Sequence, residues 1–99
     1  MHYLLIYDVV ENYVQRREPY RAEHLNLARQ SVERQEMVLG GATDDPVDLA
    51  LLVFAGDKPG AAEAFAESDP YVKNGLVKAW RVRRWNTVIG TCMPPGQSL

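Results

Sequence analysis

The sequence predicts an α+β fold, a four-stranded antiparallel sheet with two helices on one face. Three observations predict it. Strand-like apolar runs and helix-forming segments follow one another in the order β-α-β-β-α-β. The two middle runs are separated only by the polar stretch Thr43–Asp48, so they pair as a hairpin. Each helical segment bridges two strands, and right-handed crossovers place both helices on the same side of the sheet. A chain of 99 residues buries one sizeable core and not two.

Tyr3 to Val9 is rich in β-branched and aromatic residues and reads as the first strand. Alternation points Tyr3, Leu5 and Tyr7 one way and Leu4, Ile6 and Asp8 the other, so both faces are largely apolar. Tyr20 to Gln35 holds good helix formers, with Pro19 suited to the first turn and Gly40-Gly41 marking a stop further on. Leu25, Ala28 and Val32 define its expected buried stripe, and His24 falls on the flank of that stripe beside Ala28. Met37 to Ala42 reads as a short strand, and the run LALLVFA, Leu49 to Ala55, as a strand buried on both sides. A second helix runs from Gly60 to about Glu67, with Asp57 as its cap and Pro59 near its first turn. Its stripe is Ala62, Phe65 and Ala66, and the next position on that stripe is an acid, Asp69. Val77 to Ile89 alternates as a long last strand, with Trp80 and Val82 on one side and Arg81, Arg83 and Trp85 on the other.

These elements make the ferredoxin-like arrangement. One sheet face stays bare, and because the first and third strands are apolar on both faces, the prediction is a homodimer packed sheet against sheet. A single domain is expected over residues 1–92, with residues 93–99, which include two prolines and a glycine, as a tail without regular structure.

Composition narrows the function classes. With 46% hydrophobic residues, 24% charged residues and a formal net charge of −2, the chain has neither the bias of disorder nor the basic excess of a nucleic-acid binder. Cys92, the single cysteine, cannot form an internal disulfide and lacks the paired spacing of a zinc site, which fits a reducing cytoplasm. The opening MHYLLIYDVV supports neither a signal peptide nor a membrane span. No GxSxG, phosphate-binding loop or HExxH motif is present, so no cofactor or metal is implied.

Four sets of residues are candidates for chemistry. Pro70 excludes the helical conformation at Asp69, which lifts this acid to the end of the helix layer. There it either caps a following turn through Tyr71 and Val72 or pairs with His24 of the other helix. A histidine held by a carboxylate keeps one tautomer and exchanges a proton near neutral pH, whereas a lone histidine on a helix flank is more often structural. Asp8, ending the first strand, is a second acid or an ordinary turn residue. Arg16, Arg17 and Arg21 either bind an anionic or phenolic substrate or pair on the surface with Glu11, Glu18 and Glu23; the surface role is expected for most of them, with Arg17 as the exception. His2 is terminal and expected to take no part.

The segments RREPYRAEHL at 16–25, VLGGA at 38–42 and ESDPYVKNGLVKAWRVRRW at 67–85 together resemble the YCII-related (YciI-like) proteins, members of the dimeric α+β barrel group. The resemblance spans nearly the whole chain up to about residue 90. It implies a ferredoxin-like fold paired into a barrel, and a cleft with a His-Asp pair in acid-base chemistry that maps onto His24 and Asp69. Chloride removal from hydroxylated aromatics is linked to the family, so small aromatic or enol-like substrates are implied. Family members commonly carry Gly-Pro after the second strand where this chain has Gly41-Ala42-Thr43, and the loop that starts there is expected to line the cleft. The leading expectation is a cofactor-free enzyme with His24 as acid or base, Asp69 orienting and charging it, and Asp8, Arg17, Tyr71 and Gly41 placing the substrate. The alternative is a dimeric binding or interaction module without catalysis.

Overall fold

The computed structural model describes residues 1–93. Its strands are β1 (His2–Val9), β2 (Met37–Ala42), β3 (Leu49–Ala55) and β4 (Val77–Trp85). They form one sheet in the order β2-β3-β1-β4 with every neighbouring pair antiparallel, the ferredoxin-like arrangement. Helices α1 (Tyr13–Arg16) and α2 (Arg21–Glu33) lie between β1 and β2, and α3 (Gly60–Ser68) and α4 (Pro70–Lys73) between β3 and β4.

The alternation of β1 sets the architecture. Tyr3, Leu5, Tyr7 and Val9 are buried on the helix side, where the register places them beside Phe54, Leu52 and Ala50 of β3 and beside Val82 and Trp80 of β4. Ala62, Phe65 and Ala66 of α3 close this core, as their spacing predicts. The opposite face carries Leu4, Ile6 and Leu51, each half-buried, with Leu39 and Trp85 exposed at its margins.

The structure departs from the sequence reading at five points. The first helical region breaks into α1, a 3-10 turn at Glu18–Tyr20 and α2, so Pro19 opens the 3-10 turn and not the long helix. The long helix stops at Gln35, whose φ of 62° is left-handed, while Gly40 and Gly41 lie inside β2. The buried stripe of α2 is rotated: Ser31 is its fully buried member, with Leu27 and Ala28 against the core, and Val32 is 52% exposed. The positions 24, 27, 28 and 31 form a helical face as regular as 25, 28 and 32, but with His24 and Ser31 on it hydrophobicity favours the second set, and the structure turns the first inward. β4 ends at Trp85, four residues before the predicted end. In addition, α3 is preceded by Pro59 at its cap position without a side-chain cap bond, so Asp57 does not serve as the cap. Of the expected tail, residues 94–99 lie outside the described residues.

Candidate active site

Three local rules converge on one carboxylate. Because Pro70 follows, Asp69 leaves the helix with φ −71° and ψ 122° and starts α4 with proline in the first turn. Asp69 Oδ1 then accepts the Tyr71 backbone N–H at 3.0 Å, the expected cap. The same oxygen accepts a hydrogen bond from His24 Nδ1 at 2.8 Å. Oδ2 accepts the Tyr7 hydroxyl at 2.8 Å, from the helix-side face of β1. Capping and pairing are therefore not alternatives: one fully buried carboxylate does both.

The imidazole is fixed on three sides. Its ring stacks on Tyr71 with centroids 3.8 Å apart and planes 6° apart, and its edge meets Phe65 at 6.0 Å. Nδ1 faces an acceptor-only carboxylate and so carries a proton, which leaves the Nε2 lone pair free in the neutral ring. Among the described residues nothing bonds Nε2, and the 13% of the side chain that stays exposed borders a cleft.

That cleft is a cavity of about 480 Å³ between α2 and the β2 side of the sheet, within the range of small-molecule sites. Tyr7, Ala50 and Leu52 line it from the sheet, Tyr13, Arg17, Arg21 and His24 from the helical segments, and Gly40 and Gly41 from β2. The Arg17 guanidinium lies 5.2 Å from the centre of the Tyr13 ring, and its buried Nε has no hydrogen-bond partner among the described residues. Arg21 Nη1 makes a long contact of 3.5 Å to the Tyr71 hydroxyl. Among the described residues neither arginine forms an ion pair, so the expected surface pairing with Glu11, Glu18 and Glu23 is not made.

The remaining expected residues are placed as follows. Gly41 lines the cleft. Tyr71 is fully buried behind the imidazole and holds it instead of meeting the cleft. Asp8 lies on the opposite sheet face, where its Oδ2 accepts from Arg81 Nη1 at 3.0 Å, and it does not join the group. His2, expected to be idle, is buried and bonded to Thr87 Oγ1 at 2.7 Å and to the Cys92 carbonyl at 2.9 Å, tying down the segment after β4. Tyr7 was not singled out from the sequence. The available signal was its position on the covered face of the first strand, since a buried phenol needs a polar partner.

Burial pushes the hydroxyls of Tyr7, Tyr13 and Tyr71 above the ordinary tyrosine range. For Tyr7 the Asp69 charge adds to burial, and for Tyr71 the neighbouring Arg21 opposes it. All three stay neutral where an imidazole works. Because the folded state holds these protons more tightly than the unfolded chain, the stability they contribute is complete below about pH 10 and is lost as pH rises above it. Ultraviolet titration of phenolate is expected to show these three ionising only together with alkaline unfolding; free ionisation of all five tyrosines in the folded protein would contradict their placement.

Among the described residues no group of three or more His, Cys, Asp or Glu is arranged to hold a metal ion, and no helix is long and apolar enough to cross a membrane. A protein-family model described as the YCII-related domain matches residues 1–86. No curated protein matches the chain. Among solved structures, the chain is similar to 5-chloro-2-hydroxyhydroquinone dehydrochlorinase (TftG) from Burkholderia phenoliruptrix AC1100, in complex with 2,5-dihydroxybenzoquinone. The TM-score is 0.68 at 25% identity, with 86% of this chain and 93% of that chain covered.

Proposed function

The chain belongs to the YCII-related domain family, and from that premise we propose that it is a cofactor-free enzyme that moves a proton on a small hydroxylated or enolisable ring compound. The observation that carries this reading is the 2.8 Å bond from His24 Nδ1 to the buried Asp69 carboxylate, in a histidine that lines the cleft and whose Nε2 has no hydrogen-bond partner among the described residues. In the proposed reaction, Nε2 takes the proton of a phenolic or enolic O–H. The electron pair released forms a carbonyl and, where the ring's keto tautomer carries a leaving group such as chloride on the saturated carbon next to the enol double bond, that double bond shifts toward this carbon and the group leaves with its bonding pair. His24 ends as imidazolium, neutralised by Asp69, and returns the proton to water. Arg17 and Arg21 stand on the same wall of the cleft and would hold the developing oxyanion. The dehydrochlorinase similarity supports elimination as the reaction type and a hydroxylated ring as the substrate type.

Chlorinated hydroquinones, lactones and enolisable carbonyl compounds, assayed for chloride release and for absorbance change, identify the reaction. His24→Ala is expected to lower turnover by about 10²–10⁴-fold. Full retention of turnover in that variant would overturn the assignment.

We also propose a homodimer formed through the uncovered sheet face, because Leu4, Ile6, Leu51, Leu39 and Trp85 leave a contiguous apolar surface there. Light scattering is expected to give twice the chain mass at micromolar concentration; a monomer mass would contradict the pairing.

A further inference from the structure

Two of the three residues of the apolar stripe that the sequence assigns to the core side of α2, Leu25 and Val32, do not join the core, and only Ala28 packs against it. Leu25 and Val32 line the cleft instead, together with Ala28, and Val32 is half exposed. Gly40 and Leu52 of the sheet line the same cleft, and along α2 its lining changes from charged to aliphatic side chains. His24, Arg17 and Arg21 make a cationic, proton-exchanging end, and the second end is an apolar trough running about 12 Å along α2 from His24 to Val32. Arg29 and Glu33 stand at its exposed rim. Gly40 keeps the trough open. An added Cβ there would sit 3.4 Å from Leu52 Cγ, above the trough floor, and the backbone imposes no left-handed conformation that would demand glycine.

We propose that this trough is a subsite for an apolar substituent, so that the substrate is an amphipathic ring: an acidic hydroxylated head at Arg17 and His24 and an alkyl or similar apolar tail against Leu25, Ala28 and Val32. The inference rests on the proposed acid-base reading for the position of the head. Cavity size favours it. A single six-membered ring occupies only part of about 480 Å³, a volume typical of sites for larger ligands. The grouping of Arg17, Arg21 and His24 at one end and of Leu25, Ala28 and Val32 along the rest, with Arg29 and Glu33 only at the exposed rim, sets which end of the molecule enters which end of the cleft.

Titration calorimetry of the whole chain with 2,5-dihydroxybenzoquinone and its 3-propyl and 3-hexyl derivatives tests this. Affinity is expected to rise by roughly two- to fourfold for each methylene that enters the trough. In Gly40→Val and, separately, in Val32→Asp, the ratio of chained to bare affinity is expected to fall close to one. Equal affinity for bare and chained rings in the wild type would overturn the inference, as it would if a second copy of the chain covered the trough. His24-dependent turnover alongside that result would leave the acid-base reading standing; chain-length-dependent binding without such turnover would leave the subsite and remove the reading. Failure of every ring to bind would remove both.

Discussion

Asp69→Asn is expected to leave a folded protein that turns substrate over about 10²–10³-fold more slowly. The asparagine can take only one orientation. Its Oδ1 must stay where Asp69 Oδ1 accepts both the Tyr71 N–H at 3.0 Å and His24 Nδ1 at 2.8 Å, since an amide NH₂ there would face a backbone donor. The NH₂ then points at the Tyr7 hydroxyl, which can accept as well as donate. Tautomer and ring position therefore survive, and what disappears is the negative charge. A unit charge about 4 Å from the imidazolium centre is worth up to ~4 kcal/mol at an effective dielectric constant of 20, or roughly three orders of magnitude in rate, with screening lowering that figure. Steady-state kinetics beside a thermal melt would show it: unchanged turnover means that the charge plays no part in the reaction.

Asp69→Ala is expected to be the most destabilising single change in the site, by roughly 3–5 kcal/mol. It removes the cap of α4, about 1 kcal/mol. It also leaves the buried Tyr7 hydroxyl and the imidazole N–H without an acceptor, about 1–3 kcal/mol for each orphaned group. For a domain of 99 residues, whose whole stability is about 5–15 kcal/mol, the melting temperature should fall by at least roughly 10 °C. Together with Asp69→Asn this separates the scaffold role of the carboxylate from its electrostatic role. A melt within two or three degrees of wild type would mean that the cluster is looser than its three short bonds imply.

The sheet was legible because β1 and β4 alternate and β3 is a continuous apolar run bounded by polar residues: β2 and β3 match their sequence limits, and the Asp-Pro pair ended α3 where steric exclusion says it must. The rotation of α2 was not legible, because helical periodicity defines faces and not which one meets the sheet. That rotation decides the site. It turns His24 from the flank toward Asp69, and it turns Leu25 and Val32 out of the core into the cleft. Asp8 illustrates the converse limit. Its strand parity was correct, but parity placed it on the face away from both helices, where it meets Arg81. Tyr71, expected at the substrate, is buried by the short helix α4 against the imidazole, a contact between residues 47 apart in the chain that no local pattern encodes.

The central claim is that Asp69 holds the imidazole of His24 with its proton on Nδ1 and its lone pair on Nε2. Long-range ¹⁵N–¹H correlation spectra of the uniformly labelled protein, recorded at a pH where the ring is neutral, read this directly. A protonated Nδ1 and a bare Nε2 for His24, lost in Asp69→Ala, is the predicted result; a proton on Nε2 in the wild-type protein would contradict it.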